Sequence, residues 1–477
     1  MRRRTFLKGS LMGSAAALAV PVVGAAQGTA SAAGTVNVGS VAALQSAIDA
    51  AVPGDRIVLA DGAYTVPSSG VRIAGKHGTT DAPITIVSAS RGGAVLNGPV
   101  GFVLSASSNI TISGFAFRQT STFALPADCS RIRLTRNDFK LADRDGLDWL
   151  TVRGDDAKID RNYFHHRSSQ GIFLVVDGPG TTAMAQRTHV FRNYFADHSY
   201  TGANGGEAIR LGVSHRALST ADALVEYNLF ERCDGDPEAI SVKSSGNTIR
   251  HNTLRNSKGG IVLRHGNATT VAGNHVLGGA NGVRLYGNDH LVVNNHISGT
   301  TSRGIVIGSG TTRDHHEGET TEERRGNDAC DRAVIAHNTL VGNAATISGE
   351  SRTYGPRDVV VADNVLVASA GSLVDLDSAT GFVWQGNILW GSAANGTIPS
   401  AGFRRVDPLL RKDADGVHRL TAGSPAVDAA TLTSLALAED ADGHARGAAR
   451  DVGADEYSAL APVRRPLTTA DVGPNAS

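Results

Sequence analysis

The chain has 477 residues, 45 basic and 45 acidic side chains, 56 glycines and an aromatic content of only 5%. Glycine well above its usual share of about 7%, without a third-position period, excludes collagen and points to many tight turns between short strands. A formal net charge of zero excludes a chain-wide field for nucleic acid or an anionic membrane, so any polyanion must be gripped by a local patch.

Residues 1–32 read as an export signal. Arg3 and Arg4 precede Thr5, Phe6, Leu7 and Lys8, then an alanine-rich apolar stretch, then Ala30, Ser31 and Ala32 as a small-residue cleavage site. The paired arginines resemble a twin-arginine signal, which implies a secreted or extracytoplasmic mature chain. No cysteine follows the cleavage site and no later run reaches roughly 18 apolar residues, so no membrane anchor is expected. Ser40 is placed to cap VAALQSAIDAA, an amphipathic helix that suits the open end of a first coil. Cys129, Cys233 and Cys330 are odd in number and widely spaced, as expected of buried small hydrophobes rather than metal ligands.

From there a short unit recurs: alternating apolar residues, then Asn, any residue, and an apolar residue, as in AKIDRNYF, THVFRNYF, TIRHNTL and VVADNVL. Its asparagines are Asn137, Asn162, Asn193, Asn228, Asn252, Asn274, Asn295, Asn338, Asn364 and Asn387. Most intervals lie near one value of 21 to 26 residues; the 31 and 35 fit one unit plus a loop, and the 43 fits about two units. Strands repeating at that period cannot bury a face alone and must stack coil on coil. The expected fold is all-β, a right-handed parallel β-helix over residues 33–400 with the asparagines stacked at one corner. Residues 401–477 are expected to form an end segment, HRLTAGSPAVDAA with DVGADEY, and a disordered tail.

In a solenoid, residues one coil apart lie about 4.8 Å apart on one face. Three segments then converge: NGGEAIRLG with Asn204, Glu207 and Arg210; GDPEAISVKS with Asp236, Glu238 and Lys243; and GGIVLRHGN with Arg264 and His265. Lys243 and Arg264 are 21 residues apart, one coil, and should be neighbours. Asn204, Glu207, Asp236 and Glu238 form a hard-oxygen cluster suited to Ca²⁺. An acidic patch beside a basic one is what β-elimination from a uronic acid requires, because a cation neutralising the sugar carboxylate stabilises the charge that develops when the C5 proton leaves. Lys243 is the expected base, Arg264 the group that stabilises or protonates the leaving O4, and His265 or a water the other candidate donor. Arg210 and Arg284, the latter 20 residues beyond Arg264, are candidate contacts for an anionic polysaccharide. The segment Thr311–Asp331, rich in charge, reads as an insertion between coils that could border the cleft.

NGGEAIRLG, DPEAISVKS and RHGN, one coil on, resemble the polysaccharide lyase family that contains chondroitinase B and the calcium-dependent alginate lyases. The similarity extends to VAALQSAIDAAVPGDRIVLADGAYT and covers most of residues 35–300. It implies Lys243 as Brønsted base, Arg264 as acid, His265 as a neighbouring helper, and Asn204, Glu207, Asp236 and Glu238 as the calcium neighbourhood. Asp236 stands where a glutamate is common in the family. The resulting expectation is alginate cleavage. Dermatan sulfate cleavage, with Arg324 and Arg325 of the insertion reaching sulfates, and non-catalytic polysaccharide binding are the alternatives.

Overall fold

The computed structural model describes residues 33–477, so the expected export signal lies outside the described residues. The chain winds as a right-handed parallel β-helix. Its three long sheets hold 14, 11 and 14 strands, and each strand pairs with its counterpart one turn later. The first coil is covered by the helix Val41–Ala50, capped as expected: the Ser40 side chain accepts the Ala43 N–H at 3.1 Å, and Leu44 and Ile48 face the core.

The corner asparagines are the spine of the molecule. Each donates through Nδ2 to Oδ1 of the next at 2.9 to 3.0 Å, from Asn137 through to Asn387. All ten are essentially without solvent exposure. The residue before each has a left-handed backbone, from Arg136 at φ 56° to Gly386 at φ 65°, which turns the chain between sheets. Two places after the asparagines at 137, 162, 193 and 228, the apolar residue is Phe, and Phe139, Phe164, Phe195 and Phe230 stack inside with centroids 4.6 to 5.0 Å apart. The three cysteines are buried and unpaired.

Two expectations are corrected. Asn295 bonds directly to Asn338, so the 43-residue interval is one coil carrying the Thr311–Asp331 insertion, not two units. The tail is packed rather than disordered. Beyond the last long-sheet strand, Phe403–Arg405, the chain turns back along the outside of the solenoid. The Asp363 carboxylate accepts from Thr431 N and Leu432 N, Thr339 Oγ1 from Ala454 N, and Thr253 Oγ1 from Leu467 N; Gly473 N then donates to the Arg192 carbonyl. Arg136 reaches the Pro474 carbonyl at 2.9 Å. Outward polar groups along one edge, invisible as a repeat, fasten the strap.

Candidate active site

The converging segments lie on neighbouring strands of the eleven-stranded sheet: Ile209–Leu211, Glu238–Lys243, Gly260–His265, Asn281–Leu285 and Arg303–Ile307. Alternation sends Ile209, Ile240, Ile261, Val283 and Ile305 inward and leaves Arg210, Ser241, Val262, Arg284 and Val306 as an outward row. The expected pairing of Lys243 with Arg264 is shifted by a bulge. After Val242 opposite Leu263, Lys243 lies opposite His265, leaving Arg264 as the extra residue. The bulge re-aims Arg264, whose Nε lies 3.8 Å from Glu238 Oε1, while Lys243 Nζ lies 3.6 Å from Glu207 Oε1. Acidic and basic groups therefore interleave instead of occupying separate halves.

Glycines let the carboxylates meet. A Cβ on Gly206 would lie 2.4 Å from the Gly235 carbonyl oxygen, so only bare backbones allow the two loops to approach and bring Glu207 beside Asp236. Glu207 is 2% exposed and Asp236 4%, and one oxygen of each, Glu207 Oε2 and Asp236 Oδ2, is buried without a hydrogen-bond partner. Burial, then the charges of Glu207 and Glu238, push Asp236 up to about 7; burial also raises Glu207 against the pull of Lys243. Crowded, unsatisfied carboxylate oxygens of this kind fit a hard cation. Glu238 accepts the Ser241 hydroxyl at 2.5 Å, and its N–H is held by Asp236 Oδ1. Asn204 sits on the exposed loop before Glu207; its carbonyl accepts from the Gln170 side chain, and no side-chain hydrogen bond joins it to the carboxylates among the described residues. One group among the described residues, Asp440, Asp442 and His444 on the C-terminal segment, brings three potential ligand atoms within 4.8 Å of one another. There the Arg419 guanidinium already lies against Asp442.

His265 is 4% exposed, and burial followed by Arg264, Lys243 and His315 holds it well below its ordinary value, so its ring is neutral near pH 7. Its neighbour His315 belongs to the insertion, with ring centroids 6.3 Å apart. The insertion runs from the end of Arg303–Ile307 across the intervening coils until its short helix Glu323–Arg325 packs on Ser214–Arg216, walling the flank where Lys243 and His265 lie. Arg324 and Arg325 do not face the groove as free cations: buried Arg324 holds Glu319, and Arg325 pairs with Glu322 at 2.8 Å.

Arg210 pairs at 3.9 Å with Asp148 rather than with Glu207 or Glu238. Arg284 binds Glu350 at 2.7 Å, and Arg303 and Arg352 converge on the same carboxylate, which also accepts the buried Tyr286 hydroxyl. Sequence reasoning missed Asp148, Tyr286, Arg303, Glu350, Arg352 and His315. The VRLYG unit one coil after VLRHG could have pointed to Tyr286, whereas the insertion hides the fact that Glu350 belongs to the very next coil after Arg303.

A sequence profile described as Chondroitinase B matches residues 38–351, about two thirds of the chain. The chain belongs to the chondroitinase B family. Solved structures agree. The PL6 family alginate lyase AlyGC is 26% identical with a TM-score of 0.71, over 82% of this chain and 55% of that one. A mannuronic acid specific polysaccharide family 6 lyase from human gut microbiota is 24% identical, TM-score 0.68, over 78% and 91%. The PL6 family polysaccharide lyase Pedsa3628 from Pseudopedobacter saltans is 21% identical, TM-score 0.65, over 93% and 99%. The chain thus spans little more than half the length of AlyGC. No curated protein sequence matches it. For this member of the chondroitinase B family, the profile covers the whole groove from the capping helix to Glu350, while the strap beyond residue 403 falls outside it.

Proposed function

We propose that the protein is an exported polysaccharide lyase that cleaves a uronic-acid polymer, alginate in the first instance, by calcium-assisted β-elimination. The observation that carries this reading is the pair of buried, unsatisfied carboxylates, Glu207 and Asp236, the first of them 3.6 Å from Lys243 on the coil next to Arg264 and His265. In this reading Lys243 Nζ removes the C5 proton, the C4–O4 bond breaks as the C4–C5 double bond forms, and O4 leaves with a proton supplied from the side of Arg264 and His265. Arg264 Nη1, buried and without a partner, is a donor available to the departing oxygen. Neutral His265 can hold or pass a proton next to it. Glu207, Asp236 and Glu238 would hold the calcium ion, which when bound neutralises the sugar carboxylate and makes the C5 proton more acidic. Asn204 completes the set as the resemblance implies. Arg284, on the outward row, and Arg210 are assigned to substrate carboxylates.

Alginate is preferred to dermatan sulfate because the chain carries no net cationic surplus for sulfates and the solved structures it resembles include alginate lyases. The paired arginines of residues 1–32 support export, which a fusion of that segment to a reporter would test.

The decisive experiment incubates the mature chain with alginate, polymannuronate, polyguluronate and dermatan sulfate, with calcium or chelator, and follows ultraviolet absorbance of the unsaturated product. Alginate or one of its blocks should give a calcium-dependent rise, and Lys243→Ala should abolish it with the fold retained. No rise on any polyuronate would sink the lyase reading, and new reducing ends without absorbance would replace it with hydrolysis.

A further inference from the structure

The left-handed residues before the corner asparagines present a regular column of side chains: Arg192, Tyr227 and His251, each at φ 53°, with the Tyr227 and His251 rings stacked 5.2 Å apart. The next position is Gly273, which has no side chain and is covered by the His251 ring. A Cβ there would lie 2.6 Å from His251 Nδ1. The position after it, Asn294, is taken up by the C-terminal segment, donating to the Glu439 carbonyl and accepting from Arg446.

The strap passes over this stretch and, with the solenoid, borders a half-open cavity of about 200 Å³ lined by Arg192, His251, His275, Arg464, Arg465 and Asp471. Its polar groups are incompletely matched. His275 is buried, yet its Nε2 has no partner. Arg192 makes no side-chain ion pair or hydrogen bond among the described residues. Arg464 is fixed by Glu439, and Arg465 shares Asp471 at 2.9 Å. Of the three arginines lining the cavity, Arg192 alone has no carboxylate partner among the described residues.

We propose that this cavity is a second binding site, distinct from the groove on the eleven-stranded sheet, for a small oxyanion: a tetrahedral phosphate or sulfate, or the carboxylate of a free sugar acid. The His275 ring N–H, Arg465 and Arg192 supply donors that such an anion accepts, and the cavity supplies the room. Burial and then Arg464 and Arg250 lower His251 to about 4, and burial and then Arg419 and His251 lower His275 to about 3. Because strap and solenoid both line the cavity, an occupant would tie residues 464–471 to the coils beneath.

The test is titration calorimetry of the mature chain with inorganic phosphate, sulfate or glucuronate, against chloride at matched ionic strength. One saturable site per chain is expected for at least one of them, weakened tenfold or more in Arg465→Gln, an exposed change that leaves the core untouched, and in His275→Leu. Should His275→Leu fail to fold, the histidine ring resonances of the wild-type chain take its place, and His275 should shift on saturation. Tighter phosphate or sulfate than glucuronate assigns a tetrahedral ligand, and the reverse a sugar acid. The proposal is overturned by no saturable binding, by affinity unchanged in Arg465→Gln, or by affinity lost instead in Arg284→Gln, which would put the anion on the other face.

Discussion

Asp236 should make the metal-free protein less stable as the solution becomes less acidic. In the folded chain its carboxyl keeps a proton to about pH 7, against an ordinary 3.8, because burial and then Glu207 and Glu238 oppose ionisation. Between those values the folded state binds more protons than the unfolded one, so stability falls as pH rises from about 4 to about 7 and then levels. Roughly three pH units at about 1.4 kcal/mol each set an upper bound near 4 kcal/mol, and water reaching the groove reduces it to about 2 to 4 kcal/mol. Asp236→Asn keeps the shape and removes the charge. In chelator at about pH 8 the variant should be more stable than the parent by that amount, and the two should converge near pH 4. Calcium should reverse the order, stabilising the parent by mass action and leaving the variant almost unmoved. Urea unfolding at several pH values, with chelator or with millimolar calcium, measures all four curves. Parallel curves for parent and variant in chelator would refute the claim that three carboxylates repel one another here.

Asn252→Leu removes Oδ1, which accepts both Asn228 N and Asn228 Nδ2, and strands the carbonyls of Val225 and Arg250; urea unfolding should show a loss of about 3 to 5 kcal/mol. Gly206→Ala drives a methyl into the Gly235 carbonyl, so the loops must separate. Calorimetry should show weaker calcium binding in that variant while circular dichroism stays that of the parent, at a stability cost of about 1 to 3 kcal/mol. Arg284→Gln deletes one arm of the cluster on Glu350 and a cation of the outward row. Steady-state kinetics on alginate should then show kcat/KM lowered about 10- to 100-fold, carried mostly by KM.

The repeat was legible because the corner asparagine must satisfy two coils at once, which leaves Asn almost no substitutes and prints the period on the sequence. The site was legible to the level of which segments meet, since coil geometry converts spacing into contact, and Glu207, Asp236, Glu238, Lys243, Arg264 and His265 do share one patch. What failed was anything decided by a single residue of register. Lys243 faces His265 and not Arg264 because a bulge admits one extra residue, and no composition or spacing rule signals a bulge within VLRHG. Glu350 stayed hidden for the opposite reason: the insertion stretches one coil to 43 residues, so a carboxylate only one turn beyond Arg303 looks remote in the chain. The tail misled through composition. Its proline- and alanine-rich residues include few large apolar side chains, but Val472 and Ala476 are buried and the solenoid offers a ready column of donors and acceptors, Thr253, Arg192 and Arg136 among them. A segment with no core of its own can therefore be ordered by a partner surface that repeats every turn.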